Sequence, residues 1–245
     1  MKQGLYTITR NRAIAAGTWE MRLAGDTSAL EHAGQFVDVE VPGFYLRRPF
    51  SVCDWDDDGL NLIYKVVGEG TARLRTLSAG SQLDLLTGLG NGYDLEPAGR
   101  RPLLIGGGAG IPPLYRLARD LIGQGRDVTI ILGFNRADEL FLTDQFSWLG
   151  ARVLVSTVDG SAGTRGLVTD VLSSAGESSY FYSCGPEAML KAVARQARTP
   201  GQFSLEERMG CGFGACMGCT IETRSGLRRV CCDGPVFASE ELLWT

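Results

Sequence analysis

Four cysteines near the C-terminus have the spacing of an iron–sulfur ligand set. Four residues separate Cys211 from Cys216, two separate Cys216 from Cys219, and a further thiol follows at Cys231 or Cys232. This C-x4-C-x2-C…C spacing is typical of plant-type [2Fe–2S] sites, in which four thiolates hold two irons. The chemistry expected of such a set is the transfer of single electrons.

The residues around the cysteines suit a compact metal-binding loop. Glycines lie among the ligands at Gly210, Gly212, Gly214 and Gly218. Glycine adopts positive φ and lets the backbone approach a cluster closely, so that N–H groups can donate to sulfur. Beyond the loop, Thr220–Thr223 and residues 227–230 predict a short hairpin that turns at Ser225-Gly226. Because Cys231 and Cys232 are adjacent, only one of them can be the fourth ligand without distortion.

Zinc and disulfide bonds are the alternatives for these cysteines. Zinc sites favour two C-x2-C knuckles, and the chain has only one. A disulfide framework requires an oxidising compartment. The polar N-terminus, Met1-Lys-Gln-Gly-Leu-Tyr6, lacks the apolar region of a secretion signal. We therefore expect an iron–sulfur site in a cytoplasmic protein, with Cys53 as a buried apolar residue.

Composition restricts the class of protein further. The chain has 245 residues, enough for two compact domains and a small appendage, and a formal net charge of −4. It has no Lys/Arg-rich run for nucleic acid and no apolar stretch that would cross a membrane. Its one histidine, His32, lies in a predicted surface loop. Such a chain is a poor candidate for acid–base catalysis and a good one for holding cofactors.

Residues 1–97 predict a small antiparallel β-barrel, because short alternating runs recur with turns between them. Within it, Arg47-Arg-Pro-Phe-Ser51 can pair a phosphate, pack on a flat ring and hydrogen-bond a polyol. An edge strand opened by proline is the alternative. Gly68-Glu-Gly-Thr71 predicts a turn into a helix whose N-terminus suits a pyrophosphate. An ordinary capped helix explains that segment equally well.

Residues 98–200 alternate between strands and helices, which predicts a doubly wound parallel sheet. The first strand, Pro102–Ile105, runs into a turn of sequence Gly106-Gly-Gly-Ala-Gly-Ile-Pro-Pro113. Ligands of open α/β sheets bind at this end of the strands. The last strand ends at Cys184-Gly-Pro186, a second strand-to-helix turn. Residues 201–245 form the predicted cluster-binding region.

These motifs occur in an order that resembles the ferredoxin–NADP reductase superfamily, which pairs an FAD-binding barrel with an NAD(P)-binding α/β domain. The C-terminal Cys-Gly-x-Gly-x-Cys-x-Gly-Cys, followed by Val230-Cys-Cys-Asp-Gly-Pro-Val-Phe237, is similar to the electron-transfer subunits of NAD-linked, type B dihydroorotate dehydrogenases. The resemblance covers essentially the whole chain. It implies Cys231, directly after Val230, as the fourth metal ligand.

The resemblance also implies which residues bind the cofactors. Arg48, Pro49, Phe50 and Ser51 would contact FAD, Ile63, Tyr64 and Lys65 would line the flavin, and Gly70 and Thr71 would hold its pyrophosphate. Gly108, Gly110, Cys184, Gly185 and Pro186 would bound the nicotinamide pocket of NAD. Gly88-Leu-Gly-Asn-Gly92 is similar to a family turn but lacks its usual proline, which bears on the rigidity of that turn.

The function implied is an electron conduit of pyrimidine biosynthesis. Electrons from dihydroorotate, oxidised at FMN on a separate catalytic subunit, would pass through the [2Fe–2S] cluster and FAD to NAD⁺. The family implies a heterotetramer with two copies of each subunit. Phe213, Met217 and Phe237 are candidates either to contact that partner or to shield the cluster. The alternatives are a subunit of an NADH-dependent ferredoxin reductase or sulfide dehydrogenase, and a non-catalytic metal-binding module.

Overall fold

A computed structural model describes residues 1–244. The first part of the chain forms a closed six-stranded antiparallel barrel of strand order β1-β2-β5-β4-β3-β6. Its strands are β1 (Lys2–Ala15), β2 (Thr18–Ala24), β3 (Phe36–Val39), β4 (Arg48–Asp56), β5 (Gly59–Lys65) and β6 (Gln82–Leu89), with helix α1 (Glu69–Leu74) before β6. Leu60, Leu62 and Tyr64 alternate along β5 and pack in the barrel core. The predicted barrel is thus confirmed.

The second part forms a seven-stranded sheet of order β10-β9-β8-β7-β11-β12-β15. The strands are β7 (Pro102–Gly107), β8 (Thr129–Phe134), β9 (Arg152–Thr157), β10 (Thr164–Arg165), β11 (Tyr180–Cys184), β12 (Gly201–Ser204) and β15 (Val236–Ala238). All pair in parallel except β15, which adds an antiparallel edge. The chain leaves β7 toward β8 and returns on its other side as β11. This change of direction opens a crevice at the carboxyl ends of the two strands.

Helices α2 (Pro113–Gly123), α3 (Thr143–Leu149), α4 (Val168–Val171) and α5 (Glu187–Gln196) flank the sheet. Proline is tolerated at the start of α2, since the first helical N–H groups have no partner within the helix. Leu114, Leu117 and Leu121 are fully buried along one face of α2, and each contributes about 2 kcal/mol. Among the described residues, no helix combines the length and apolar character that crossing a bilayer requires.

Helix α2 also joins the sheet to the barrel. The Arg116 guanidinium lies 3.8 Å from the centre of the Trp55 ring on β4 and donates to the Trp55 carbonyl at 2.9 Å. Arg119, one turn further along, donates to Asp54 Oδ2 at 2.9 Å. Cation–π contact and charge-assisted hydrogen bonds therefore hold the two parts of the chain against each other.

The last part of the chain carries the predicted hairpin, β13 (Thr220–Thr223) and β14 (Gly226–Arg229). Phe36 and Leu89 of the barrel share one buried cluster with Cys219, Cys231 and Phe237, so the cysteine region packs directly on the barrel. The division into segments 1–97, 98–200 and 201–245 stays a prediction. Strands β12 and β15, both from the third segment, complete the sheet of the second.

Candidate functional site

The four predicted ligand cysteines lie as two pairs. The amide of Cys216 donates to Cys211 Sγ, and the amide of Cys231 donates to Cys219 Sγ, each at 3.4 Å. All four are free thiols. The described part of the chain holds no group of three or more His, Cys, Asp or Glu side chains that would hold a single metal ion. Two pairs suit the two irons of a [2Fe–2S] cluster, because each iron takes two thiolates.

The electrostatics of the pairs differ. Partial burial raises the pKa of Cys211, but backbone N–H groups and the Cys216 thiol outweigh that effect and bring the pKa down to about 7. For Cys231, burial raises the pKa to about 12, and the neighbouring Cys219 adds to the effect. A cationic metal would favour the thiolate at both positions. Donated N–H groups of this kind also stabilise charge on sulfur.

The loop between Cys211 and Cys216 has the positive φ angles that its glycines predict. Gly212 and Gly214 have φ of 76° and 92°, in the left-handed region that other residues avoid. A Cβ on Gly214 would lie 2.8 Å from Cys232 Sγ. The second of the adjacent cysteines is therefore packed against the loop. That Cys231 is the fourth ligand stays a prediction.

The apolar residues around the cysteines divide into two kinds. Phe213 and Met217 are 47% and 54% exposed, whereas Phe237 is 4% exposed and lies in the core. The prediction that Phe237 contacts the partner is therefore wrong, because β15 places this side chain in the core. Leu227, at the tip of the hairpin, is 72% exposed and is a further apolar candidate for partner contact. No motif marks it, since hairpin tips are usually polar.

Residues expected to bind FAD surround a cavity of about 440 Å³ between the barrel and the sheet. Its lining includes Arg48, Pro49, Phe50, Ser51, Ile63, Tyr64, Lys65, Thr71, Gly110, Cys184 and Gly185. Phe50 and Tyr64 place their ring centres 5.7 Å apart on adjacent strands. Phe36, Met209 and Pro235 line the same cavity. Since Met209 and Pro235 flank the cysteine segments, the cavity extends from the sheet crevice to residues beside those segments.

Gly70 does not line the cavity but supports it. It is buried at the start of α1, where an added Cβ would lie 3.1 Å from Arg48 Nε. The Thr71 hydroxyl accepts from the amides of Val67 and Gly68 at 3.0 and 3.2 Å. Thr71 thus caps the helix, as the alternative of an ordinary capped helix predicts. A role of Gly70 and Thr71 in binding pyrophosphate stays a prediction.

A second cavity of about 450 Å³ lies over the carboxyl ends of β7, β8 and β9. Gly108 and Pro186 line it, together with Asn135, Glu139 and Ser156. Neither Asn135 nor Glu139 belongs to a motif, so both were missed. Asn135 Nδ2 donates to Glu139 Oε2 at 3.3 Å. Apolar walls with a few polar groups are typical of a cofactor site.

The two glycine turns meet between the cavities. A Cβ on Gly110 would lie 2.3 Å from the carbonyl carbon of Cys184, so only glycine allows the turn after β7 to touch the turn after β11. Gly110, Cys184 and Gly185 face the first cavity, and Gly108 and Pro186 face the second. Burial raises the pKa of Cys184 to about 12, although Ser204 opposes the effect, so this thiol stays protonated.

Two further residues lie beside the site, and of these only Asn91 belongs to a sequence motif. Asp38, on β3, is 3% exposed, and its Oδ1 has no hydrogen-bond partner. A Cβ on Gly212 would lie 2.7 Å from Asp38 Oδ2, so this carboxyl faces the cysteine loop from the barrel. Asn91 Oδ1 accepts from the Val236 amide at 3.1 Å, and its Nδ2 donates to the Val236 carbonyl at 2.8 Å. The Gly88–Gly92 turn therefore fastens the segment after the cysteines to the barrel.

Known proteins resemble this chain over almost its full length. The model of the oxidoreductase NAD-binding domain matches residues 104–195, and that of the iron–sulfur cluster binding domain of dihydroorotate dehydrogenase B matches residues 206–243. The dihydroorotate dehydrogenase B (NAD(+)) electron transfer subunit of Geobacillus sp. (strain WCH70) is 42% identical, with 99% of each chain covered.

Two solved structures extend the comparison. A chain from the NADH-dependent reduced ferredoxin–NADP oxidoreductase is 31% identical, with a TM-score of 0.90 over 98% of this chain and 90% of the other. The flavohemoglobin of Malassezia yamatoensis, solved with bound FAD and heme, is 17% identical, with a TM-score of 0.68 over 80% of this chain and 56% of the other. At this identity the second likeness shows a shared fold alone.

Proposed function

Because this chain belongs to the family of electron transfer subunits of dihydroorotate dehydrogenase B (NAD(+)), we propose that it carries electrons from dihydroorotate oxidation to NAD⁺ in pyrimidine biosynthesis. Its cofactors are a [2Fe–2S] cluster, FAD and NAD. When bound, the cluster passes electrons one at a time, and FAD delivers them two at a time, as a hydride, to the nicotinamide.

The observation that carries this proposal is the layout of one continuous cavity. Its walls run from Gly110 and Cys184, at the crevice of the sheet, to Met209 and Pro235, beside the cysteine pairs. A flavin held there would lie between the second cavity on one side and the segments that carry the cysteines on the other. That order of sites is the order that electron transfer requires.

We assign the flavin to the barrel side of this cavity. The rings of Phe50 and Tyr64 offer flat apolar surface, and Ser51 and Arg48 offer hydrogen-bond donors. Ile63 and Lys65 complete the wall from β5. Phe36 and Ile63 are buried and give this cavity part of its apolar wall. NAD binding is assigned to the second cavity, bounded by Gly108 and Pro186.

The cluster is assigned to Cys211, Cys216, Cys219 and Cys231. Cys216 is exposed, whereas Cys219 and Cys231 are each 2% exposed. These thiols would hold a cluster near the surface on the side of Cys216, where Phe213 and Met217 are also exposed. We infer that this surface contacts the catalytic subunit, that the partner carries FMN, and that two copies of each subunit assemble.

Coupled turnover tests the proposal. The FAD- and iron-loaded chain is mixed anaerobically with the flavoprotein that co-purifies with it from its native source, and dihydroorotate-dependent reduction of NAD⁺ is followed. Cys219→Ser should abolish this activity and leave reduction of bound FAD by NADH intact, because only the metal site is changed. Cys232→Ser is the matched control and should retain both activities. A chain that reduces NAD⁺ equally well without its cysteines contradicts the proposal.

A second function is favoured by one observation. The chain that shares 31% identity and a TM-score of 0.90 comes from an NADH-dependent reduced ferredoxin–NADP oxidoreductase. A ferredoxin reductase subunit therefore has the same architecture. Reduction of ferredoxin by NADH, without any dihydroorotate-oxidising partner, would favour that function. The greater identity to the dihydroorotate dehydrogenase subunits, 42% against 31%, is why we place it second.

A further inference from the structure

Arg229 links the two segments that carry the cysteines. It is the last residue of β14, two positions before Cys231. Its Nη1 donates to the carbonyl of Gly214 at 3.0 Å, and Gly214 lies in the loop between Cys211 and Cys216. One guanidinium therefore ties the loop that supplies three cysteines to the strand end that supplies the fourth.

The guanidinium is itself held in place by Asp233. Arg229 Nε donates to Asp233 Oδ2 at 3.2 Å, and the backbone N–H of Arg229 donates to the same oxygen at 2.7 Å. The amide of Asp233 returns a hydrogen bond to the Arg229 carbonyl at 2.8 Å. The side chain of Arg229 is 35% exposed and that of Asp233 is 26% exposed. Partial burial and a reciprocal hydrogen-bond pattern give this pair a defined geometry, unlike most surface ion pairs.

The charge of Arg229 lies close to the sulfur of Cys232, the residue after the proposed fourth ligand. A Cβ built on Gly214 would lie 3.3 Å from Arg229 Nη1 and 2.8 Å from Cys232 Sγ. The guanidinium and the turn at Cys231–Cys232 therefore lie beside the same glycine of the loop. Gly214 has no room for a side chain there. The loop backbone at Gly214, the guanidinium and the Cys232 thiol are thus packed together.

We propose that Arg229 is a positioning residue for the iron–sulfur site, and that its fixed positive charge raises the reduction potential of the bound cluster. The inference rests on the proposed function, since it presupposes that the four cysteines hold a [2Fe–2S] cluster. Reduction adds one negative charge to the cluster. A nearby cation stabilises the reduced form more than the oxidised form, and an arginine keeps its charge at every relevant pH. The same contact limits movement of the loop, so it slows loss of iron.

The test uses the full chain loaded with FAD and iron. The cluster is titrated with reductant under EPR detection, with bound FAD as the internal reference, and the rate of iron loss to a chelator is measured. Arg229→Gln should shift the cluster potential to a more negative value and increase the rate of iron loss several-fold. Arg229→Lys should keep most of the potential, because the charge remains, but should lose iron faster, because an ammonium lacks the two separate, fixed donors with which Arg229 contacts Asp233 and Gly214.

Two further variants separate charge from position. Asp233→Asn should speed iron loss without a negative shift in potential, because the anchor is lost while the cation stays. Arg228→Gln is the matched control, since Arg228 is one residue away and exposed, and its guanidinium lies 3.5 Å from Ser225 Oγ. It should leave both readouts near those of the wild-type chain.

The outcomes are distinguishable. A wild-type chain without the EPR signal of a [2Fe–2S] cluster overturns the proposed function, and this inference with it. A wild-type chain with that signal, whose Arg229→Gln variant keeps potential and iron loss unchanged, overturns the inference alone. Equal shifts for Arg228→Gln and Arg229→Gln also overturn it, because the effect is then one of general surface charge.

Discussion

Lys65, on barrel strand β5, forms an ion pair with Glu139, which follows β8 of the sheet, with 2.9 Å between Nζ and Oε2. The side chains are 25% and 14% exposed, so the pair is largely shielded from water. Lys65 lines both the flavin cavity and the dinucleotide cavity. Burial raises the pKa of Glu139, but the hydrogen bond and charge of Lys65, together with hydrogen bonds from Asn135, outweigh burial and hold the pKa below its ordinary value. The pair therefore balances charge at the junction of the two cavities.

Substitution of Lys65 should weaken dinucleotide binding. Among the described residues that line the dinucleotide cavity, Lys65 is the only cation. Lys65→Met leaves Glu139 facing an anionic ligand, so we expect the KM for NADH to rise about tenfold, or ~1.4 kcal/mol. Glu139→Gln should act in the opposite direction. Both are measured by NADH-dependent reduction of a dye. Lys2→Met, which breaks an exposed pair with Asp26, is the control and should have no effect.

A methyl group on Gly70 should reduce the FAD content. Its carbon would lie 3.1 Å from Arg48 Nε, so the Arg48 side chain, which lines the cavity, must shift by about a few tenths of an ångström. We expect Gly70→Ala to weaken FAD binding by about 1 kcal/mol, or roughly fivefold. Gly68→Ala is the matched control, because a Cβ there meets nothing within 4 Å and its φ is −164°. Flavin retained after dialysis is the measurement. Equal loss from both variants contradicts a role for Arg48.

The sequence predicted the parts of this site that depend on local pattern. The spacing of Cys211, Cys216 and Cys219 is a property of one loop, and the alternation along β5 follows from the pleat of a strand. Strand β15 has only three residues, too few for a periodic signal. The contact between Lys65 and Glu139 joins positions 74 residues apart. Such contacts depend on how the barrel packs on the sheet, and no local pattern encodes that packing.

The buried carboxyl of Asp38 illustrates the same limit. Alternation along β3 places Phe36 and Asp38 on the same side of the strand, and a lone aspartate in a four-residue strand usually faces solvent. Here the cysteine loop covers that side, since Gly212 packs against the carboxyl. Burial of this polar group follows from the third segment of the chain folding onto the first.

The adjacent cysteines should differ in their effect on metal content. Cys231→Ser should abolish the cluster, because the hairpin brings this residue to Cys219, whose Sγ accepts the amide of Cys231. Cys232→Ser should retain iron and sulfide close to wild-type amounts, since the Cys232 side chain packs against Gly214. Iron and acid-labile sulfide per chain are the measurements. Loss of iron from the Cys232 variant alone reverses the assignment.

Asp38 should make stability depend on pH. Burial raises the pKa of Asp38 to about 6, although Arg47 and Arg48 oppose the shift. An unfolded aspartate has a pKa of about 3.9, so the folded state binds this proton more tightly than the unfolded state. The resulting stability is fully present below about pH 4 and is lost as the pH rises through 6.

Asp38→Asn removes this dependence, and relative to wild type it should gain about 1 kcal/mol between pH 5 and 7. The amide has a cost of its own that shifts every pH equally, so the change with pH is the quantity to compare. Thermal midpoints of the loaded protein measure it, with the exposed Asp57→Asn as control. A difference between Asp38→Asn and wild type that stays constant with pH would show that this carboxyl ionises normally in the folded protein.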